Sequence, residues 1–497
     1  MGGTLYEDSP AAWLRSESLF IWLEASRPLT SPSLKVEGLD AVSASAASCV
    51  EPCFGQCYCF AADLSKPTLN GIRGAFSLQA SGVDPEGKVL TASDSLNVTR
   101  LSWRRPLGQP IRATPAIGAD GTVYVGTSGG SSSRTGTLFA ISAGGQERWN
   151  KPLGRIDASA MVSAPGLGPQ RVFVGSLATN GLVSALDPTG TLVAQCVLSK
   201  DADLQASPTT IPLGAAFYAN KTNELIALRP STNPLCSAAQ TSDDVLFPDG
   251  LVATGPSVFF VDNKPNVSRY DLTASGWLAY TQNQWPGSPA SNYRNRGLAI
   301  PTAAALIGAG EIPQGGGAVF QAAATGNFRF DYGFSPPRVA ASAHGPVVAS
   351  DGLVLVGIPT GIAAVSSAIT VVGGGDGIAN TPVLGEGGRL FALAENGALS
   401  QWSYLAGKPV RLWSSPLDAA TSLAFEASPA LDCARTALGV LIAGRPGVLY
   451  AAARSGTLYA VVVDARGIDV TAQWPKYQKD PRNSGSADTA LQEFACP

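Results

Sequence analysis

Two short apolar motifs alternate along this chain in fixed order, and that alternation restricts the possible folds more than any other feature. The first is a run that closes on a small residue, as in Val123-Tyr124-Val125-Gly126. It recurs at 172–175, 216–219, 258–261, 354–357, 389–392 and 448–451. The second follows shortly after, as in Gly136-Thr137-Leu138-Phe139-Ala140-Ile141, with copies at 181–186, 223–228, 361–365 and 456–461. Weaker versions stand at 267–271, 328–330 and 398–402. A proline opens many of the units: Pro115, Pro208, Pro301, Pro346, Pro382 and Pro429.

The spacing is roughly 35 to 50 residues, the length of a four-stranded propeller blade. Strands this short cannot bury both faces alone, so neighbouring sheets must stack around an axis. Eight units begin near Ala113, Ala158, Ala206, Phe247, Gly297, Ala340, Ile378 and Phe425. The fourth and fifth are degenerate, which leaves seven blades as the alternative. The small residue closing the first motif is expected beside the axis, where a large side chain would clash. The expected fold is therefore all-β: an eight-bladed (alternatively seven-bladed) β-propeller with a small N-terminal β-sandwich. Composition agrees, because 55 Gly and 36 Pro with only 14% charged residues suit short strands and tight turns.

Residues 1–99 carry no repeat, only strand-like runs separated by turns, and read as an immunoglobulin-like β-sandwich. Residues 100–487 form the repeat domain, and 488–497 a C-terminal tail expected to be anchored by a disulfide. Leu101-Ser102-Trp103-Arg104-Arg105-Pro106-Leu107 matches the fourth-strand sequences at 148–153 and 412–417. It is therefore expected to supply the outer strand of the last blade and close the ring, in preference to Trp474.

Certain repeats carry a finer pattern. Ala140-Ile-Ser-Ala-Gly-Gly-Gln-Glu-Arg-Trp149 resembles the Ala-x-Asp-x-x-Gly-x-x-x-Trp signature of the PQQ-like (quinoprotein-type) repeat. Ala185-Leu-Asp187-Pro-Thr189-Gly190 keeps its first half, and Trp413 stands where its tryptophan belongs. The segment 472–485 is similar to one that often ends bacterial propellers of this kind. The resemblance covers roughly 101–487 and implies the fold, not an activity, since that fold hosts enzymes and scaffolds alike.

Eight cysteines point to an oxidising compartment. Cys49, Cys53, Cys57 and Cys59 crowd one loop and strand; their spacing lacks the paired C-x2-C knuckles of a zinc site, so two disulfides are expected. Cys196 and Cys236 occupy equivalent outer-strand positions of adjacent units, and Cys433 and Cys496 form the other natural pair. No signal segment is visible in this chain, so the extracytoplasmic address (periplasm, outer surface or secreted) rests on the cysteines.

The family's enzymes oxidise alcohols or sugars with PQQ over Ca²⁺ at the ring centre, usually beneath a vicinal Cys-Cys pair. This chain has no adjacent cysteines, no C-x-x-C-H haem motif, and no comparable metal-binding cluster. Its one histidine, His344, and the glycine-rich turn around Asp376 read as structural residues. The expectation is thus no cofactor and no enzymatic site. A PQQ-dependent alcohol or sugar dehydrogenase is the alternative. With a net charge of -3 and no basic run, nucleic acid is not an expected partner. No stretch of about 18 apolar residues provides a membrane span. The expected role is a binding or scaffold protein that uses propeller loops and the sandwich for protein contacts, as a possible subunit of a surface assembly. The segment 281–296 lacks a strand pattern and gathers Trp285, Tyr293, Arg294 and Arg296, residue types enriched in interface hot spots, so it is the candidate partner contact.

Overall fold

The computed structural model describes residues 5–6, 12–14, 18–38, 41–43, 56–129, 133–164, 168–200, 202–204, 206–212, 214–219, 222–232, 235–241, 250–261, 267–273, 275–283, 294–302, 305–312, 316–323, 328–329, 345–365, 369–373, 377–378, 380–394, 396–405, 407–418 and 424–497. These residues are all-β, apart from one turn of 3-10 helix at Leu491–Phe494. The chain divides into two compact units, 1–102 with 461–463, and 103–460 with 464–497.

In the N-terminal unit a six-stranded sheet includes the long antiparallel pair Arg73–Val83 and Val89–Thr99, and a second sheet pairs Ser18–Ala25 with Gln56–Asp63. The alternation of Phe76, Leu78 and Ala80 on one side of its strand gives the period of two that buries a single face. Ile21, Phe60 and Ala62 from the smaller sheet join them, with Leu34, Val36, Leu96 and Val98, in one core.

From Leu101 onward the chain forms eight four-stranded sheets, numbered in chain order. Their first strands are Ala116–Ile117, Met161–Val162, Thr209–Ile211, Val252–Thr254, Arg294–Thr302, Val347–Val348, Val383–Gly385 and Ala430–Asp432. The first strands of sheets one and two, of three to six in succession, and of seven and eight lie against each other, and that of sheet eight lies against that of sheet one. This is a β-propeller, with the first strands forming the inner wall. The fourth strand of sheet eight is Leu101–Pro106, which lies beside Thr457–Val462. Trp474 is elsewhere, fully buried against the inner strand of sheet six.

The repeated small residue has a different reason from the expected one. Val123–Gly126, Val172–Leu177 and Val354–Ile358 are second strands, not the innermost. A side chain at Gly126 would run into Ile156, at Gly175 into Leu204, and at Gly357 into Ile378. Each of these obstacles precedes the inner strand of the next sheet. The glycine therefore makes room for the neighbouring unit and not for the axis.

The outer strands are also coupled by a regular contact. Trp103, on the fourth strand of sheet eight, donates its indole N–H to the Ala143 carbonyl at 2.8 Å, and a side chain on Gly145 would strike its ring. Trp149, on the fourth strand of sheet one, does the same to the Pro188 carbonyl at 2.8 Å, over Gly190. Both glycines sit at positive φ, 81° and 85°, in the turn between the third and fourth strands of the next sheet.

Candidate functional site

Every inner strand presents an edge of backbone N–H groups toward the channel, and buried donors need acceptors. The chain supplies them from its own C-terminal segment. Leu384 donates to the Pro475 carbonyl (2.7 Å), Val348 to Trp474 (2.8 Å), Ile117 to Pro481 (2.7 Å), Val162 to Arg482 (2.9 Å), Thr210 to Ser484 (2.7 Å) and Ala253 to Gly485 (2.8 Å). One segment thus serves the inner strands of six sheets.

That segment is polar yet buried: Lys476, Asp480, Asn483 and Trp474 are wholly enclosed. Such burial demands internal partners. Lys476 Nζ donates to the Tyr477 carbonyl (2.7 Å), the Asp480 carbonyl (3.1 Å) and Asn483 Oδ1 (2.5 Å). Asn483 Nδ2 in turn donates to the carbonyls of Thr114, Pro115 and Ala160. Gln478, Lys479 and Asn483 sit at positive φ, as does Gly485, so the segment is coiled tightly. Burial pushes the Lys476 ammonium down to about 7, opposed in part by the charge of Asp480.

Where the inner strands begin, a second set of bonds runs from sheet to sheet. Thr381 N–H donates to Ser428 Oγ (3.2 Å), Ser428 to Thr114 Oγ1 (3.0 Å), Thr114 to Ser159 Oγ (2.9 Å), and Ser159 to Ser207 Oγ (3.0 Å). Beside this chain runs a circuit of alternating charges. Arg454 pairs with Glu426 (3.0 Å), Glu426 with Arg112 (3.2 Å), Arg112 with Asp157 (3.7 Å), Asp157 with Arg155 (2.8 Å), and Arg155 with Asp203 (2.6 Å). Each charge is answered by its neighbour, so the circuit fixes the rim without leaving one sign in excess.

The residues at the centre do not fit a quinone held over calcium, because the space is taken up by Trp474, Lys476 and Asn483. Among the described residues no three of His, Cys, Asp and Glu are grouped so as to hold a metal. No helix among the described residues is long and apolar enough to cross a membrane.

Cys196 is joined to Cys236 across the outer strands of sheets two and three, with a Cα–Cα distance of 6.2 Å. Cys433 is joined to Cys496, at 5.5 Å, which pins the tail. Cys57 and Cys59 are disulfide-bonded on the strand Gln56–Asp63, and Cys49 and Cys53 lie outside the described residues.

Of the segment 281–296, expected as a strand-free loop, both ends are strand, and residues 284–293 lie outside the described residues. Its first residues belong to the strand Gly276–Asn283, and Arg294 and Arg296 lie on the inner strand of sheet five. Backbone pairing of Arg294 with Glu311 and of Asn295 with Gly310 takes them into the sheet despite their polar sequence. Trp285 and Tyr293, like His344 and Asp376, lie outside the described residues. The hydroxyl chain of Thr114, Ser159, Ser207 and Ser428 was not anticipated, although three of these residues sit in an Ala-[Ser/Thr]-Pro triplet that marks the start of a unit.

No family model matches the chain, and no curated protein matches it in sequence. The propeller fold does find solved counterparts. The chain is similar to Saccharomyces cerevisiae Sqt1, at 12% identity and a TM-score of 0.51, over 73% of this chain and 97% of that one. The C-terminal WD40 domain of Sif2 aligns at 11% identity and a TM-score of 0.45, over 72% and 98%. Streptogramin B lyase aligns at 10% and 0.39, over 73% and 98%. At this identity the likeness to Sqt1 is one of fold.

Proposed function

We propose that this chain is a non-enzymatic protein-binding scaffold of an extracytoplasmic compartment. In this reading its eight sheets are the blades of one closed propeller of PQQ-like type, and its N-terminal unit is an immunoglobulin-like sandwich. One observation carries the proposal: the ring centre is filled by residues 474–486 of the chain itself. A quinoprotein would place its cofactor and substrate there. With the centre filled, the surfaces left for recognition are the outer faces and the turns between strands, which a rigid scaffold presents well.

Two further features support parts of the reading. The Trp103–Gly145 and Trp149–Gly190 contacts give the repeat's glycine and tryptophan a mutual role, which favours the PQQ-like resemblance. The Cys196–Cys236 and Cys433–Cys496 disulfides favour an oxidising compartment. Cross-linking of the protein in its native cell fraction, followed by mass spectrometry, tests the role. The expected result is a reproducible stoichiometric protein partner linked through propeller turns or the sandwich. Dye-linked oxidation of alcohols or sugars on addition of PQQ and Ca²⁺, abolished by EDTA, would overturn it in favour of the dehydrogenase.

A further inference from the structure

Between the first two strands of sheet eight the chain makes an excursion, 434–444, that no repeat requires. Ile442 N–H donates to the Ala434 carbonyl and Thr436 N–H to the Val440 carbonyl, so the excursion is a hairpin. It is braced on several sides. Arg435 reaches back to the Gly439 carbonyl at 2.9 Å and to Asp432 at 2.7 Å. Gly444 N–H donates to the Pro497 carbonyl at 3.0 Å, and the Cys433–Cys496 disulfide lies at the hairpin's foot. Gly439 rests against the Asp120 carbonyl and Ala437 against Gly144, both in turns of sheet one.

What this bracing displays is aliphatic. Leu438 is 86% exposed, Val440 63%, Leu441 42% and Ile442 37%. Four neighbouring aliphatic side chains on a rigid support mark a contact surface more clearly than isolated exposed ones do. A cavity of about 150 Å³ adjoins them, lined by Leu441, Phe494 and Ile117 together with Asp432, Arg435, Arg482 and Glu493. That volume far exceeds the ~10–15 Å³ that one water needs. Arg482 is almost completely buried, and its Nε makes no hydrogen bond.

The lining selects among occupants. Arg435 is paired with Asp432 and Arg482 with Glu493, so a free anion or cation would meet a like charge beside each opposite one. An extended peptide backbone brings one N–H and one C=O per residue, and suits a wall offering both donors and acceptors. The hairpin carries no Trp, Tyr or Lys to seat it at a bilayer surface, and its one cation, Arg435, is paired with Asp432. We propose that the hairpin 434–444 and the cavity at its foot form a docking site for an extended, uncharged aliphatic segment of a partner protein. The proposal rests on the scaffold reading above and assigns its contact surface.

The test uses the full chain and a fluorescein-labelled, C-terminally amidated peptide, Val-Leu-Thr-Val-Leu-Val, followed by fluorescence anisotropy. Saturable binding is expected, weakened at least tenfold in a Leu438→Asp, Val440→Asp double variant whose melting temperature is unchanged. Glu493→Gln should weaken it severalfold through the cavity alone. A control peptide with Asp replacing both Leu residues should not bind. No binding, or binding unaffected by the double substitution, would overturn the docking site. So would sedimentation of the wild type, but not the variant, with phosphatidylglycerol vesicles, or a dimer lost in the variant. A cross-linked partner that the double variant retains would overturn the site and leave the scaffold reading standing. The absence of any partner in the native fraction would remove that reading instead.

Discussion

The backbone N–H of Ser428 donates to the hydroxyl of Thr114 at 3.0 Å, joining residues 314 apart in sequence. It is the link by which sheet eight meets sheet one in the chain of Ser/Thr bonds. Both residues are buried. We expect Thr114→Val to leave that N–H without an acceptor and to cost about 1–3 kcal/mol. Thr114→Ser, which keeps the hydroxyl, should recover most of the loss. Denaturant unfolding of the three proteins measures both effects.

Trp474 is the largest side chain of the central segment and is fully enclosed beside Val348, Val356 and Ala363. Trp474→Ala should cost about 3–5 kcal/mol, the range for emptying an aromatic site in a core. A Trp474→Phe variant should lie between. If the alanine variant unfolded at the wild-type denaturant concentration, the segment would not fill the centre as described.

The Cys433–Cys496 disulfide spans a sequence separation of 63. In the chain-entropy account a loop of that size is worth about 4.3 kcal/mol, so the Cys433→Ser, Cys496→Ser variant should melt several degrees lower. Peptide mapping without reductant should recover the 433–496 and 196–236 pairs from the wild type. Free thiols at these positions in the native protein would contradict both pairings.

Stability should rise with pH through one defined window. Lys476 titrates near 7 in the folded protein and near 10.4 when unfolded, so between these values the unfolded state binds the extra proton. The folded state is therefore favoured progressively from about pH 7 to pH 10, by at most about 1.4 kcal/mol per unit. Lys479, also lowered, acts in the same direction. Above pH 10 the trend should reverse, because Tyr124, Tyr404 and Tyr450 are raised by burial and lose stability as their unfolded counterparts ionise. Urea unfolding of wild type and Lys476→Met from pH 6 to pH 11 separates the terms, and the variant should lose most of the rise.

The sheets were legible because their signal is local. Val123–Gly126 and Thr137–Ile141 are apolar runs set apart by glycine and polar turns, and the strand at 101–106 resembles its counterparts in composition. The central segment was not legible as such. Lys476, Asp480 and Asn483 look like surface residues in any sequence, and only the ring around them makes them interior. Arg294–Thr302 begins with Arg-Asn-Arg, which has no strand period, so its place was set by pairing with Ala305–Ile312. The serine and threonine acceptors were visible beside Pro115, Pro208 and Pro429, but their role depends on the adjoining sheet.

The acceptors for six inner strands lie between residues 474 and 485, and the strand at 101–106 waits for 457–462. During synthesis each of these six sheets therefore emerges before the segment that satisfies its inner edge. Each of the six can pair internally as it appears but cannot finish, and its open edge persists as a template for wrong pairing. Final closure becomes a single late event that depends on about a dozen residues. A frameshift or proteolytic nick just before Trp474 would consequently act on the whole ring at once, although it removes no strand.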